Sequence, residues 1–249
     1  MWQNLRSDLQ PIVDAHTGRV LGHEALLRGP EGSPWESPAG LFGEAEQRGE
    51  RVALEMEARR LAVARLDDLP DDQALFVNVD PVLPKSTPPI IPPIHRIVLE
   101  IAETRSILDN PQLLDHITTW RSQGYRIAID DYGAGYMGLG AALTVRPDIV
   151  KIDRSVTAGV LTDRVRQAAI KSTLYVFDAA EAMVIAEGVE TPEEYWLLRQ
   201  LGVRYMQGFL FGRPQADPRP GPIKLPSRLG RLPATLRVPH TESESADLP

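Results

Sequence analysis

From Leu9 to Gln207, short runs of Val, Ile and Leu alternate with longer stretches whose apolar residues recur every three to four positions. The short runs predict strands, and the longer amphipathic stretches predict helices. Strands are expected at Leu9–Val13, Val20–Leu27, Ala74–Val79, Arg96–Ile101, Arg126–Asp130, Asp148–Ile152, Ala182–Ala186 and Arg204–Gln207. Helices are expected at Pro38–Arg48, Arg51–Asp67, Asn110–Gln123, Thr162–Ala179 and Pro192–Leu201, the last opened by the start signal Thr191-Pro192. Eight strands with helices between them predict an α/β chain closed into a TIM-type (β/α)8 barrel.

Two segments break the rhythm. Pro81 to Pro93 reads PVLPKSTPPIIPP, and a proline inside a helix loses a hydrogen bond and clashes with the preceding turn, so an extended connector is expected there. After Pro214 the composition turns to Pro, Arg, Ser and Glu and ends in TESESADLP, too little apolar surface to offset ordering. The chain is therefore divided into a barrel, residues 1–216, and a proline-rich, flexible tail, residues 217–249. The competing arrangement docks Ile223, Leu225, Leu229, Leu232 and Leu236 across the barrel bottom.

The 249 residues, 43% hydrophobic and 24% charged, suit one soluble α/β domain with a sizeable core. A net charge of -7 argues against a nucleic-acid polymer or a membrane surface as partner, because both attract a surplus of Lys and Arg. The absence of cysteine excludes disulfides, thiol catalysis and Cys-based zinc sites. No basic start followed by an apolar run opens the chain and no membrane-length apolar stretch follows, so the expected location is the cytoplasm.

The carboxyl ends of barrel strands carry the chemistry of such folds, and here they are polar. Asn78 follows ALFV, Glu100 follows RIVL, Asp130 and Asp131 follow RIAI, Lys151 and Asp153 close DIVKID, Glu187 follows AMVIA, Gln207 ends RYMQ, and Glu24 lies within VLGHEALLR. Any one of them, taken alone, reads better as a cap or turn residue. As a set, acids gathered at one mouth repel unless protons or cations neutralise them, and oxygen donors of this kind suit Mg²⁺ or Mn²⁺. The adjacent pair Asp130-Asp131 can supply the bridging carboxylate of a two-metal centre, whereas the five histidines show no zinc-like pairing. Gly133-Ala134-Gly135-Tyr136-Met137-Gly138 fits GxGxxG, but Asp130 and Asp131 just before it would repel a pyrophosphate, so the glycines read as a flexible loop. A Schiff-base role for Lys151 is opposed by the same acids, which raise its pKa.

In this order the motifs closely resemble the EAL domain of cyclic di-GMP phosphodiesterases. The resemblance runs from about Leu9 to Pro214 through Gln10-Pro11-Ile12, Glu24-Ala25-Leu26-Leu27-Arg28, Asn78, Glu100-Ile101-Ala102-Glu103 and Asp130-Asp131-Tyr132-Gly133. It continues through Lys151-Ile152-Asp153, Glu187-Gly188-Val189-Glu190-Thr191 and Gln207-Gly208-Phe209 to Gly212-Arg213-Pro214. It implies hydrolysis of cyclic di-GMP to linear pGpG with two ions of Mg²⁺ or Mn²⁺, inhibition by Ca²⁺, and a homodimer. Glu24, Asn78, Glu100 and Asp130 would hold one ion, and Asp130, Asp131 and Glu187 the other. Lys151 would position the attacking water, Glu187 has also been cast as a general base, and Glu103 would anchor the Asp131 loop. Gln10, Leu26, Arg28, Asp153, Gln207 and Pro214 look like substrate contacts, with the forked donors of Arg28 suited to phosphate and Gln207 also supporting the metal and water cluster. Three departures stand out: Gly29 where a tryptophan is common, Met137-Gly138 in place of two serines, and the proline connector in place of a helix. No GGDEF cyclase motif is present. The alternative reading is a non-catalytic receptor that binds cyclic di-GMP, although such relatives usually lose one or more ligands and this chain keeps them.

Overall fold

Asp14, Thr17 and Gly18 decide how the barrel closes. They form a turn between β1 (Arg6–Asp14) and β2 (Val20–Arg28) that is too short for a crossover helix, so the two strands run antiparallel. The Asp14 carboxylate accepts hydrogen bonds from the backbone of His16 at 2.8 Å and Thr17 at 3.0 Å, and Gly18 supplies a left-handed residue with φ of 75°. The computed structural model describes residues 2, 4–79, 94–102, 111–134, 139–219 and 221–227. It shows the expected closed barrel, with strands in the order β1 to β8.

The remaining strands are β3 (Ala74–Asn78), β4 (Ile97–Ala102), β5 (Arg126–Tyr132), β6 (Ile149–Ile152), β7 (Met183–Ala186) and β8 (Tyr205–Gln207). All pair in parallel from β2 to β8, and β1 closes the ring antiparallel to β8. Around them lie α1 (Pro38–Arg48), α2 (Arg51–Val63), α3 (Pro111–Ser122), α4 (Leu139–Val145), α5 (Arg154–Thr157), α6 (Arg164–Ala179) and α7 (Pro192–Leu201). Helix α7 starts where Thr191 and Glu194 form a reciprocal capping box and stops at Gly202, φ 105°. The sequence pattern did not anticipate α4 or α5. In α4 the burial of Ala142 and Val145 against the barrel outweighs the roughly 1 kcal/mol cost of a helical glycine at 140. The proline connector and the Met137-Gly138 departure lie outside the described residues.

Inside the barrel Ile12, Phe76, Val98, Ala128, Ile149 and Ile185 pack into one apolar cluster. Side chains two residues apart on a strand share a face, so the next inward position toward the mouth is fixed by sequence alone. It is Gln10 after Ile12, Asn78 after Phe76, Glu100 after Val98, Asp130 after Ala128, Lys151 after Ile149 and Glu187 after Ile185. An apolar floor thus carries a polar layer.

Beyond β8 the chain turns back along the barrel wall. Gln215 bridges Leu9, Arg65 reaches the carbonyls of Ser7 and Ala216, and the Ile223 amide donates to Gly18 O at 2.7 Å. A Cβ at Gly18 would lie 2.3 Å from Ile223 O, so this crossing depends on glycine. Ile223 and Leu225 pack against the main core, so residues 221–227 lie against the barrel; Leu229, Leu232 and Leu236 lie outside the described residues. A chain ending at Ala216 should therefore lose roughly 2 kcal/mol of burial relative to one ending at Ser227, a fall of about 4–8 °C in Tm. Calorimetric scans of the two lengths would refute the docking if their melting points coincided.

Candidate metal centre at the barrel mouth

Lys151 occupies the centre of the polar layer with no exposed surface. Its Nζ lies 2.7 Å from Glu100 Oε1, 2.7 Å from Glu187 Oε1, 3.0 Å from Asp130 Oδ1 and 3.2 Å from Glu24 Oε2. An ammonium has three N–H bonds, so four carboxylates cannot all be satisfied by it. Glu100 Oε1 and Asp130 Oδ1 sit at ion-pair distance but have no aligned hydrogen-bond donor among the described residues. Buried carboxylate oxygens left in that state call for protons or further cations.

Strand β5 brings in a fifth carboxylate. Successive strand residues normally face opposite ways, yet the register with β6 slips between Ile129 and Tyr132 and Asp131 adopts φ of 57°. This bulge turns Asp131 back toward the mouth. As a result oxygens of Glu24, Glu100 and Asp130 lie within 4.8 Å of one another, and so do those of Asp130, Asp131 and Glu187. Asp130 belongs to both groups. The donor set is all carboxylate, which suits hard divalent cations.

Charge and burial act together on the protons. Burial pushes Glu100 and Glu187 well above the usual carboxylate range against the pull of Lys151, and raises Asp130 as well. Burial, with the charges of Asp130 and Asp153, brings Asp131 up to about 6. Glu24 goes the other way: burial opposes ionisation, but Lys151 and hydrogen bonds from Gln207 and Asn78 hold it below its ordinary value. Burial alone would lower Lys151, yet the surrounding acids keep it protonated far above neutral pH. An amine held in its protonated form is a poor nucleophile toward a carbonyl, which argues against the Schiff-base reading.

Asn78, Gln207 and Gln10 are linked to this centre by hydrogen bonds. Asn78 Nδ2 donates to Glu24 Oε1 at 3.1 Å and Glu100 Oε2 at 3.4 Å, so its amide nitrogen faces the acids in this arrangement. Gln207 Nε2 donates to Glu24 Oε2 at 2.6 Å and Gln10 Oε1 at 3.1 Å, while Gln10 Nε2 reaches Gly212 O at 3.1 Å. Asp153 caps α5 through Ser155 N at 2.8 Å, and Thr157 Oγ1 donates to Glu187 O at 2.7 Å. Leu26 lines a cavity of about 320 Å³ that runs from Glu24 and Asn78 toward Phe42, Arg51 and Glu55. Arg28 stands at the end of β2, and Pro214 is half-buried just before the Gln215 bridge. Glu103 lies outside the described residues. Gly29 permits a close approach: a Cβ there would lie 2.1 Å from Trp35 O, so loop 29–36 folds back where a larger residue would project. The sequence reading missed Thr157 and Asp8; the inward alternation Asp8, Gln10, Ile12 was the signal for the second.

The fold and site define a TIM-type barrel whose mouth carries two carboxylate groups that share one aspartate and could hold metal ions. The chain belongs to the EAL domain family, whose model matches residues 3–214. It is 30% identical over 218 residues to the probable cyclic di-GMP phosphodiesterase PdeD of Escherichia coli, covering 82% of this chain and 40% of that one. It is 29% identical over 230 residues to the oxygen sensor protein DosP of the same organism, covering 85% of this chain and 28% of that protein. The first curated relatives it matches are thus much longer than the shared region. Among solved structures, Klebsiella pneumoniae BlrP1 in a manganese and cyclic di-GMP complex superposes with a TM-score of 0.76 at 32% identity, over 86% of this chain and 56% of that one. A standalone EAL protein from Vibrio cholerae bound to cyclic di-GMP gives 0.70 at 26% identity, over 90% and 95% of the two chains. No described helix is long and apolar enough to cross a membrane.

Proposed function

We propose that this chain is a cyclic di-GMP phosphodiesterase that opens the cyclic dinucleotide to linear pGpG. The observation that carries the reading is the pair of carboxylate groups sharing Asp130 around a protonated Lys151. Glu24, Asn78, Glu100 and Asp130 would hold one Mg²⁺ or Mn²⁺ ion, with the Asn78 amide turned to offer its oxygen, and Asp130, Asp131 and Glu187 the other. When bound, such a pair supplies Lewis acidity and neutralises charge on the phosphodiester. Ca²⁺, with its looser coordination, would fill the same sites and inhibit.

The protein's own groups do the rest. Lys151 remains an ammonium, so its N–H bonds orient water and stabilise negative charge as it develops. Glu187, 2.7 Å from Lys151 Nζ, would in its ionised form hold the second ion or take up a proton from that water. Gln207 holds Glu24 in place through the 2.6 Å hydrogen bond, and Arg28 presents donors to a substrate phosphate.

Incubation with cyclic di-GMP and Mn²⁺ followed by chromatography tests the reading directly, with pGpG as the expected product. The alternative is a non-catalytic receptor for cyclic di-GMP; one 27% identical relative, BluF of Escherichia coli, is named as an antirepressor and not as a phosphodiesterase. Tight binding with no pGpG formed would decide for the receptor.

The pH dependence of stability has a definite sign. Carboxylates with raised folded-state pKa values bind protons more tightly folded than unfolded, so the metal-free protein loses stability as pH rises through the carboxylate range and past about 6 for Asp131. Cations relieve that repulsion. Melting scans with EDTA and with Mn²⁺ should show a metal-induced rise in Tm that is larger at pH 7.5 than at pH 5. A rise of equal size at both would contradict the assignment.

A further inference from the structure

Asp8 is a buried acid at the same mouth that belongs to neither carboxylate group, only 6% exposed. It shares the inward face of β1 with Gln10, opposite Leu26, while Arg6 stands opposite Arg28. On β2 the residues Glu24, Leu26 and Arg28 share the inward face, which places Arg28 at the rim two alternations above the metal-site acid. An additional carboxylate here works against an anionic substrate. A buried carboxylate there calls for a reason other than cation binding.

The contacts supply one. Asp8 Oδ2 lies 3.6 Å from Arg28 Nε, and Asp8 Oδ1 accepts a hydrogen bond from Arg6 Nε at 3.2 Å. Arg28 Nη1 donates to Leu27 O at 2.8 Å, so one guanidinium nitrogen is engaged by a hydrogen bond and Nε by the longer ion pair with Asp8; Nη2 makes no hydrogen bond among the described residues. Arg6 in turn donates through Nη1 to Gly29 O at 2.9 Å, and its Nη2 lies 3.9 Å from Glu36 Oε1. Glu36 accepts from Gly29 N at 3.0 Å with its carbonyl and from Gly32 N at 2.9 Å with its carboxylate. Asp8 thus ties Arg28 to the folded loop 29–36.

We propose that Asp8 is a positioning residue for phosphate recognition, clamping Arg28 so that its open Nη2 edge meets a phosphate of the substrate. The inference rests on the phosphodiesterase reading. A long side chain fixed before binding loses less rotamer freedom on contact, and its planar fork keeps the orientation a phosphate oxygen needs. Asp8 also compensates a cation that burial disfavours.

The test uses the full chain. Cyclic di-GMP binding is measured by calorimetry in Ca²⁺, and KM and kcat in Mn²⁺, for the wild type, Asp8→Asn, Asp8→Glu, Arg28→Ala and the Asp8→Asn/Arg28→Ala double variant. Asp8→Asn should raise Kd and KM roughly tenfold with kcat nearly unchanged, Asp8→Glu should recover much of the affinity, and the double variant should bind no worse than Arg28→Ala. Additive losses in the double variant, or a fall in kcat together with Tm, would overturn the positioning role. If the wild type binds and Asp8→Asn matches it, this inference alone fails. If the wild type neither binds nor hydrolyses cyclic di-GMP, the functional reading fails with it.

Discussion

Asp130→Asn should abolish hydrolysis while leaving the metal-free fold as stable as before, or more stable. Asp130 belongs to both carboxylate groups, so the substitution removes a ligand from each at once. Loss of an outer partner of a metal ligand already costs ~10–100-fold in affinity or activity, and loss of a shared ligand should exceed that. Turnover is therefore expected to fall by more than about a hundredfold. The stability side follows from the raised pKa of Asp130, whose ionised form is disfavoured by burial and by Glu24 despite Lys151. A neutral amide of the same shape relieves that repulsion at neutral pH. Activity assays paired with circular dichroism melts in EDTA decide the matter. Full activity in the variant would remove Asp130 from the centre, and a collapse in melting temperature would mean that its main role is structural.

Lys151→Met should have the largest effect on stability. The ammonium is the shared counter-ion of Glu24, Glu100, Asp130 and Glu187, and an isosteric apolar chain leaves these acids facing one another. Removing one partner of a buried charged group costs about 3–5 kcal/mol, and that is the loss expected for the metal-free protein at pH 7.5. At pH 5 the loss should be smaller, because the raised acids accept protons and shed the repulsion. Turnover should fall further than affinity for cyclic di-GMP measured in Ca²⁺, since a group that stabilises developing charge acts mainly in the transition state. Denaturant titrations at the two pH values provide the check. An equal loss at both would show that packing, not charge, explains the residue.

Much of this was legible before any coordinates. The two-residue strand period places Asn78, Glu100, Asp130, Lys151 and Glu187 one step above Phe76, Val98, Ala128, Ile149 and Ile185, and that step needs only the sequence. Helices α1 and α7 were readable to the residue because Pro38, Gly49, Thr191 and Gly202 are local stop and start signals. Helix α4 was not, because its glycine at 140 reads as a loop and only packing of Ala142 and Val145 against the barrel reverses that. Residues 221–227 were read as part of a flexible tail for the same reason: whether Ile223 and Leu225 pack depends on a partner, Gly18, about two hundred positions away in sequence.

Local pattern therefore determined the strands, most helices, the closed barrel and the identity of the inward-facing polar residues, since each depends on periodicities of two or 3.6 along the chain. Tertiary structure decided what those residues are to one another. It set the antiparallel closure of β1 and the bulge that turns Asp131 to the same side as Asp130, and it gave Lys151 four carboxylates to share. It also placed Asp8 between two arginines. Those relations are distances between strands far apart in sequence, and no local periodicity encodes them.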